Sequence, residues 1–415
     1  MRGLLKFGLM IAACLALLIA LFAVPPAAPP LSQAAPQGPL VRGTVVARID
    51  FRIHSGLITV PVRINGSKEL RMYLDTGMSA PVVVLFHKES IAELNLRGTQ
   101  PVLLGGAGEK DRKPGTLAPG ATVEVGPLQM PDQTLVVMSD SRETSDWPVD
   151  GVIGKSLFDK YLAEIDYEKS TVTFYDPAGA TIEAAAAPIP IDLADGMPVV
   201  QGAIDIEGGN RIRLRLIIDL GHRNAFSLSE NYAKGIRPPK RTIETIAGGG
   251  IQGEIPGRIG RVKNLELGEY SLADIPADFL APETNAGVSR ANVDGNVGSL
   301  VLNRFRIILD YPRKRMFLVP NIYFGGPFPV NMAGLVLEQN RDDDYFVRHV
   351  IKRSPAAKKG VKAGDKITAI DGHDARKYSY RETLDIFNVA GRKVKLTIAR
   401  NGQVVTKSIK LRRLI

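Results

Sequence analysis

Alternating apolar and polar residues mark two stretches of the chain that predict paired β-strands. In the first stretch, apolar residues occupy every second position over 60–64, the turn pair Asn65-Gly66 follows, and the chain returns over 70–74. An Asn-Gly pair between two such runs is a strong signal for a two-residue β-hairpin. The second stretch, over 204–216, repeats this arrangement around Gly208-Gly209. Because both regions are nearly free of long helical periodicity, we predict a mainly β fold.

Short motifs recur along the chain at a constant separation, which indicates an internal duplication. Asp75-Thr76-Gly77 follows an apolar run, and Asp219-Leu220-Gly221 follows another such run 144 residues later. Three further pairs of segments keep the same separation: 150–154 with 294–298, 165–167 with 309–311, and 105–106 with 249–250. Several matches in one register are typical of a repeated fold. We therefore predict two copies of one fold, each presenting an Asp-x-Gly at the end of a strand.

Two aspartates presented in this way suit acid–base chemistry. Two aspartate side chains about 3 Å apart cannot both ionise, so Asp75 and Asp219 would share one proton. The ionised member can take a proton from a water molecule while the protonated member polarises a carbonyl. Gly77 and Gly221, two positions after the aspartates, allow a tight turn and a close approach of the backbone to a substrate. The repeat thus predicts one acid–base centre built from both copies.

The duplicated motifs resemble those of the aspartic proteases of the pepsin and retropepsin type. Residues 75–79, Asp-Thr-Gly-Met-Ser, resemble the Asp-Thr-Gly-x-Ser loop of that family. Residues 151–154 resemble the apolar segment that braces the loop. The resemblance covers roughly residues 43–320. It implies a two-lobed, single-chain β-barrel architecture, with lobe 1 over 43–178 and lobe 2 over 191–320.

The same resemblance implies an aspartic endopeptidase, a hydrolase that cleaves peptide bonds with a water molecule activated by both lobes. It assigns the catalytic role to Asp75 and Asp219. Thr76 and Gly77 would hold the first catalytic loop, and Gly221 would hold the second.

The second loop departs from the family pattern. In the family a Thr or Ser usually follows the second Asp, and its hydroxyl bonds across to the loop of the other lobe. Leu220 has no hydroxyl, so half of this bridge is expected to be missing. His222 and Arg223 place positive charge beside Asp219, which we expect to favour its ionised form. The alternative function, from a different class, is a catalytically inactive envelope protein that binds peptides.

Glycine-rich stretches over 105–108 and 248–250 lie between each catalytic loop and its brace. The resemblance implies that a mobile hairpin, the flap, covers the substrate from such a position; an ordinary hairpin turn is the alternative. Trp147 is the only tryptophan and lies three residues before Asp150. It belongs either to the cleft or to the core.

From about residue 325 the pattern changes and resembles a bacterial PDZ domain (α+β), which we assign to 325–415. The resemblance rests on turn and strand signals that occur in the expected order over 354–372. Two closing strands are predicted over 393–400 and 404–411, and a helix over 381–388.

The PDZ resemblance implies a peptide-binding groove. Gly334, Leu335 and Val336 occupy the place of the carboxylate-binding loop. In such a loop backbone N–H groups receive a peptide or protein C-terminus, and the peptide adds as a strand to the sheet edge. The predicted helix would form the other wall. The alternative is a PDZ domain that packs on the protease lobes and binds no tail.

The N-terminal segment predicts export. Arg2 and Lys6 precede an uncharged apolar stretch over 7–24, and prolines follow it. As a helix this stretch would be about 27 Å long, so residues 1–24 are either a signal peptide or an inner-membrane anchor. Residues 25–42 are rich in Pro and Ala and predict a semi-extended tether. We expect a periplasmic protein, either released or anchored facing the periplasm.

Composition narrows the function classes. The 415 residues carry a formal charge of +10, but no aromatic interleaving or nucleic-acid motif accompanies it, so we predict no nucleic-acid partner. The only cysteine, Cys14, lies in the leader, which excludes thiol catalysis and cysteine-based zinc sites in the mature chain. None of the five histidines has metal-ligand spacing, and no Gly-x-Ser-x-Gly occurs. We therefore predict no metal or organic cofactor, and a peptide or protein substrate.

Overall fold

A computed structural model describes most of the chain after residue 39. The described residues are 40–106, 112–139, 148–183, 186–193, 196–206, 211–250, 253–281 and 292–415. No helix among them is long and apolar enough to cross a membrane. The leader over 1–24, the tether as far as residue 39, Trp147 and residues 107–108 of the first glycine-rich stretch lie outside the described residues.

The first lobe consists mainly of strands. Its elements are β1 (Val41–Arg42), β2 (Val45–Asp50), β3 (Arg52–His54), β4 (Leu57–Ile64), β5 (Leu70–Leu74), β6 (Val83–Leu85), α1 (Ser90–Glu93), β7 (Gln100–Leu104), β8 (Lys113–Val125), β9 (Leu128–Met138), β10 (Gly151–Ile153), α2 (Lys155–Phe158), β11 (Leu162–Asp166), β12 (Thr171–Tyr175) and β13 (Thr181–Ile182). The main sheet has the order β3-β4-β5-β10-β6-β9-β8-β7, and an additional pairing of β4 with β8 closes it. Strand β10 therefore lies between β5 and β6, at the centre of the sheet.

The second lobe repeats the topology of the first. Its elements are β14 (Ile189–Pro190), β15 (Val199–Asp205), β16 (Arg211–Ile218), β17 (Phe226–Ser229), β18 (Ile243–Gly250), β19 (Gly253–Leu267), β20 (Tyr270–Leu280), β21 (Gly295–Val297), α3 (Ser299–Leu302), β22 (Phe305–Asp310), a 3-10 turn (Tyr311–Arg313) and β23 (Arg315–Pro320). The order β15-β16-β21-β17-β20-β19-β18 matches β4-β5-β10-β6-β9-β8-β7 strand for strand, and β15 pairs with β19 as β4 pairs with β8. The duplicated motifs thus belong to two copies of one barrel-like sheet.

A third sheet joins the lobes. Its order is β14-β23-β22-β11-β12-β2, and its central pairing brings β11 of lobe 1 against β22 of lobe 2, with Ile165 opposite Ile307. The repeated segments 165–167 and 309–311 therefore meet at the junction of the lobes. Buried apolar side chains from both lobes form one continuous core beneath it.

The first hairpin follows the predicted pattern. Val60, Val62 and Ile64 of β4 are buried, and the chain turns at Asn65-Gly66 into β5. Both turn residues have positive φ, 51° for Asn65 and 73° for Gly66. These values suit the tight turn over 64–67, in which the N–H of Ser67 donates to the carbonyl of Ile64 at 3.0 Å. Residues 67–69 still precede β5, so the connection is longer than the two-residue hairpin that the Asn-Gly pair predicts.

The C-terminal domain has its own sheet and its own core. Its elements are β24 (Leu335–Gln339), β25 (Tyr345–Val350), α4 (Pro355–Lys358), β26 (Lys366–Ile370), β27 (His373–Asp374), a 3-10 turn (Ala375–Lys377), α5 (Tyr380–Phe387), β28 (Lys393–Arg400) and β29 (Gln403–Lys410). The sheet order is β24-β25-β26-β28-β29, with β27 beside β26. The helix begins one residue earlier than predicted because Ser379 and Glu382 form a capping box.

The predicted tether ends earlier than residue 42. Leu40 and Val41 are buried against the lobes, and β1 pairs with β13. Residues 40–42 therefore pack on the lobes, at the end of the range predicted as a tether. Burial of the apolar side chains of Leu40 and Val41 removes their surface from water, which stabilises this packing.

Candidate active site

The sheets place Asp75 and Asp219 at equivalent positions, each directly after a central strand. Strand β5 pairs in parallel with β10, and β16 pairs in parallel with β21. The N–H of Asp75 donates to the carbonyl of Ile153 (3.0 Å), and the N–H of Asp219 donates to that of Val297 (2.9 Å). A side chain at Gly154 would overlap the carbonyl of Asp75, so the brace needs glycine there. Each catalytic loop is therefore held by its brace.

The two carboxyl groups face each other across the junction of the lobes. Each carboxyl group lies against the glycine of the opposite loop. A Cβ atom on Gly77 would lie 2.8 Å from Oδ1 of Asp219, and one on Gly221 would lie 2.5 Å from Cγ of Asp75. Each glycine also donates its N–H to the aspartate of its own loop, at 2.6 Å for Gly77 and 2.9 Å for Gly221. Both glycines are thus needed for the close approach of the carboxyl groups.

The environment separates the pKa values of the two aspartates. Burial raises the pKa of Asp75, but N–H groups of Gly77 and Gly221 oppose this increase by stabilising its charge. Burial raises the pKa of Asp219 well above its usual range, and the negative charge of Asp75 raises it further. Asp75 is half-buried and Asp219 is buried, which agrees with this order. Both carboxyl groups are therefore harder to ionise than a solvated aspartate, and Asp219 more so than Asp75.

The expectation that His222 and Arg223 favour ionised Asp219 is wrong. Burial lowers the pKa of His222 to about 4, so this side chain is neutral at physiological pH. Arg223 forms an ion pair with Glu338 of the C-terminal domain, at 2.7 Å between Nη2 and Oε1. The positive charge is thus balanced by a carboxylate that lies 115 residues away in the chain.

Thr76 joins the two catalytic loops. Its Oγ1 donates to the carbonyl of Ile218 (2.5 Å) and accepts the N–H of Leu220 (3.0 Å). Leu220 packs in the core shared by the lobes, and its carbonyl accepts a hydrogen bond from Ser299 (3.1 Å). The structure therefore contains the threonine half of the cross-lobe bridge, and apolar packing occupies the other half.

Asn296 is a site residue that the sequence analysis missed. Its Nδ2 donates to Oδ2 of Asp219 at 2.8 Å, in a buried position on β21. The equivalent position in lobe 1 is Val152, which has no donor. Its Oδ1 is buried and has no hydrogen-bond partner within the described part of the chain. A polar residue inside an otherwise apolar brace was the signal in the sequence that could have identified it.

The described glycines of both stretches lie at the ends of paired strands. Gly105 and Gly106 directly follow β7, which pairs with β8. Residues 248–250 end β18, which pairs with β19. These positions agree with a flap and also with an ordinary turn.

The predicted peptide-binding residues lie apart from the aspartates, at the start of β24. Gly334 has a φ of 79°, which favours glycine, and Leu335 and Val336 begin the strand. The N–H groups of Ala333 and Leu335 donate to Oδ1 of Asn331, at 3.1 and 3.4 Å. The N–H of Gly334 donates to the Asn331 carbonyl at 3.0 Å. A peptide carboxylate would have to replace Asn331 as the acceptor for these groups.

Comparison with known proteins agrees with the motifs. Residues 60–157 match the family model described as aspartyl protease, and residues 334–411 match the model described as PDZ domain. An aspartic proteinase from Irpex lacteus, known from its crystal structure, aligns with 68% of this chain and 99% of its own at 14% identity and a TM-score of 0.42. No curated protein matches the chain. The predicted resemblance to aspartic proteases with a C-terminal PDZ domain is confirmed, as is the mainly β fold class.

Proposed function

We propose that this protein is an aspartic endopeptidase in which Asp75 is the general base and Asp219 is the general acid. The observation that carries the proposal is the apposition of two carboxyl groups whose pKa values are separated by their surroundings. Acid–base assignments in enzymes follow from such a separation. The aspartyl protease match over residues 60–157 supports the same conclusion for lobe 1.

The geometry leads to a two-step hydrolysis. A water molecule between the carboxyl groups loses a proton to Asp75, and its oxygen attacks the peptide carbon while Asp219 gives its proton to the carbonyl oxygen. In the tetrahedral intermediate, Asp75 returns its proton to the amide nitrogen and Asp219 accepts one from a hydroxyl group. The C–N bond then breaks, one water has been consumed, and both aspartates regain their starting states.

The PDZ domain would bind the C-terminus of a peptide or protein. Strand β24 is the outer strand of the described sheet, and lobe 1 bonds both backbone groups of Gln339 at its far end. An added peptide strand would therefore pair with the part of the edge that begins at Leu335. Helix α5 would form the second wall of the groove. Binding would require the loop at Gly334, Leu335 and Val336 to exchange its bonds with Asn331 for bonds to a carboxylate. The alternative, a PDZ domain that only packs on the lobes, retains the Asn331 bonds.

Export is part of the proposal. The apolar stretch over 7–24 and the Pro/Ala-rich segment that follows it support a location outside the cytoplasm, with inner-membrane association if the leader is retained. N-terminal sequencing of the mature protein distinguishes the two forms. A start near Ala35 indicates cleavage, an intact Met1 indicates an anchor, and a soluble cytoplasmic full-length protein contradicts export.

Leu220 favours a second candidate, a peptide-binding protein without catalytic activity, because half of the cross-lobe bridge is absent. Incubating the purified mature protein with a peptide library across pH 3–8 separates the two candidates. We expect cleavage by the wild type and none by the Asp75→Asn/Asp219→Asn double variant. Binding without cleavage at every pH would contradict the endopeptidase and support the inactive protein.

A further inference from the structure

The C-terminal domain contacts the catalytic elements of both lobes through one hairpin. We define the PDZ hairpin as β24, β25 and the turn between them, residues 335–350. Two residues of lobe 1 contact the end of β24 at Gln339. His54 ends β3, and Ser55 lies in the turn that follows β3. The N–H of Gln339 donates to Oγ of Ser55 (2.8 Å), and the Gln339 side chain accepts the N–H of Ser55 (2.9 Å). His54 and Ser55 are both buried, so these contacts fix the PDZ hairpin against lobe 1.

The first contact is with the catalytic loop of lobe 2. Glu338 pairs with Arg223, four residues after Asp219. About a quarter of each side chain is exposed, 29% for Glu338 and 25% for Arg223, and Nη1 of Arg223 is buried without a hydrogen-bond partner among the described residues. A largely buried guanidinium that loses its carboxylate is strongly unfavourable. The position of the loop therefore depends on Glu338.

The second contact is with the brace of lobe 1. Nη2 of Arg341 donates to Oδ1 of Asp150 at 2.7 Å, and Oδ2 of Asp150 accepts the N–H of Arg71 at 2.8 Å. Asp150 directly precedes β10, the strand that holds Asp75. Lobe 1 therefore receives a cation for its brace from another domain.

In lobe 2 the cation that pairs with the equivalent aspartate comes from the same lobe. Oδ2 of Asp294 accepts the N–H of Arg215 at 2.9 Å, as Asp150 does with Arg71. Its Oδ1 accepts from Nζ of Lys234, at 2.6 Å. The N–H groups of Phe86 and Ser229 donate to the carbonyls of Asp150 and Asp294, so these two residues are equivalent. In that register the counterpart of Lys234 is Ile91, which carries no charge. Arg341 thus replaces a cation that the first copy lacks.

We propose that Glu338 and Arg341 are positioning residues of the aspartate pair, contributed by the PDZ domain to the loop of one lobe and the brace of the other. This inference rests on the proposed function. The PDZ domain is accordingly a structural part of the active centre. This role also accounts for Arg223 after the second Asp-x-Gly, because Arg223 binds Glu338 of the PDZ hairpin.

The test compares single substitutions in the full-length protein. We expect Glu338→Gln and Arg341→Gln each to lower kcat at least about tenfold with little change in KM, because the displaced groups act on chemistry and not on substrate binding. Arg341→Lys should recover most of the rate, since lobe 2 uses a lysine in the equivalent place. The matched control is Arg392→Gln, which breaks an ion pair with Asp371 (2.8 Å) inside the PDZ domain but outside the hairpin, and it should change kcat less than twofold.

A second measurement distinguishes failure of this inference from failure of the proposed function. Amide hydrogen exchange at Leu220 and Gly221 should be faster in Glu338→Gln than in wild type, and unchanged in Arg392→Gln. An inactive wild type that shows this difference would refute the endopeptidase and leave the positioning role standing. An active wild type whose kcat and exchange are unaffected by Glu338→Gln and Arg341→Gln would overturn the positioning role.

Discussion

At the scale of single residues, Thr76 links the two catalytic loops through one hydroxyl group. Because Thr76→Leu removes both bonds of this hydroxyl in a buried site, we expect a loss of stability on the order of 1–3 kcal/mol and a drop of more than tenfold in turnover. Leu220→Thr removes no hydrogen bond, and we expect it to keep turnover within about threefold of wild type. Thermal unfolding and peptide hydrolysis measure both effects. If Thr76→Leu were silent in both, the bridge would not operate here.

Asn296 predicts a shift in the pH dependence of hydrolysis. Its N–H stabilises ionised Asp219, so its loss raises the pKa of that carboxyl further. Asp219 then keeps its proton to a higher pH. The alkaline limb of the pH–rate profile of Asn296→Val should therefore shift to higher pH. The acid limb, which depends on ionisation of Asp75, should stay in place.

Val152→Ala provides the control for Asn296→Val. It alters packing at the equivalent position of lobe 1 without removing a donor, so neither limb should move. An alkaline limb that is identical in Asn296→Val and wild type would show that Asn296 does not act on the pair.

The sequence predicted the residues of the site that a motif defines, and missed those defined by folding. Asp75, Thr76 and Gly77 belong to one contiguous pattern, and the repeat leads from them to Asp219 and Gly221. A polar residue in an apolar brace marks Asn296 in the sequence, but its contact with Asp219 depends on the parallel pairing of β21 with β16. The charge balance of Arg223 depends on Glu338, in another domain. For this reason the predicted effect of Arg223 on Asp219 was wrong.

At the scale of elements, the second catalytic loop tolerates no side chain at Gly221. A methyl group on Gly221 would lie 2.5 Å from Cγ of Asp75, so Gly221→Ala must displace one carboxyl group. We expect turnover to fall by at least about 100-fold, because a displacement near 1 Å is sufficient for such a loss. Kinetics with a reporter peptide measures the effect.

Gly325→Ala is the matched control for Gly221→Ala. A Cβ atom on Gly325 would have nothing within 4 Å, so turnover and thermal stability should equal those of wild type. Near-normal turnover in Gly221→Ala would mean that the carboxyl group of Asp75 does not lie against Gly221 in the active protein.

Elements with local signals were predictable, and elements that need distant partners were not. The hairpin at Asn65-Gly66 and the PDZ strand β28 lie where the sequence indicates. Strand β1 contains only Val41–Arg42 and exists through its pairing with β13, 140 residues away, so its two residues look like the end of a tether. The sheet that joins the lobes likewise depends on a pairing of β11 with β22 that alternation alone does not specify.

At the scale of the whole molecule, the duplication builds one site from two incomplete halves. Lobe 1 supplies the half-buried Asp75 and the bridging Thr76, whereas lobe 2 supplies the buried Asp219 with Asn296 beside it. The halves differ in the residues that set the pKa values of their aspartates, and the proposed roles of base and acid rest on this difference. A symmetrical pair would have to acquire that difference from the substrate.

The rate of peptide hydrolysis by Asp219→Asn, measured beside Asp75→Asn and wild type, tests the central claim most directly. Each variant should fold normally in thermal unfolding and lose roughly 10²–10⁴-fold in turnover, because one carboxyl group cannot serve as both acid and base. Equal losses in both variants would establish that the two lobes share one catalytic pair. Full activity in Asp219→Asn would contradict the account and indicate a homodimeric site formed by lobe 1 alone.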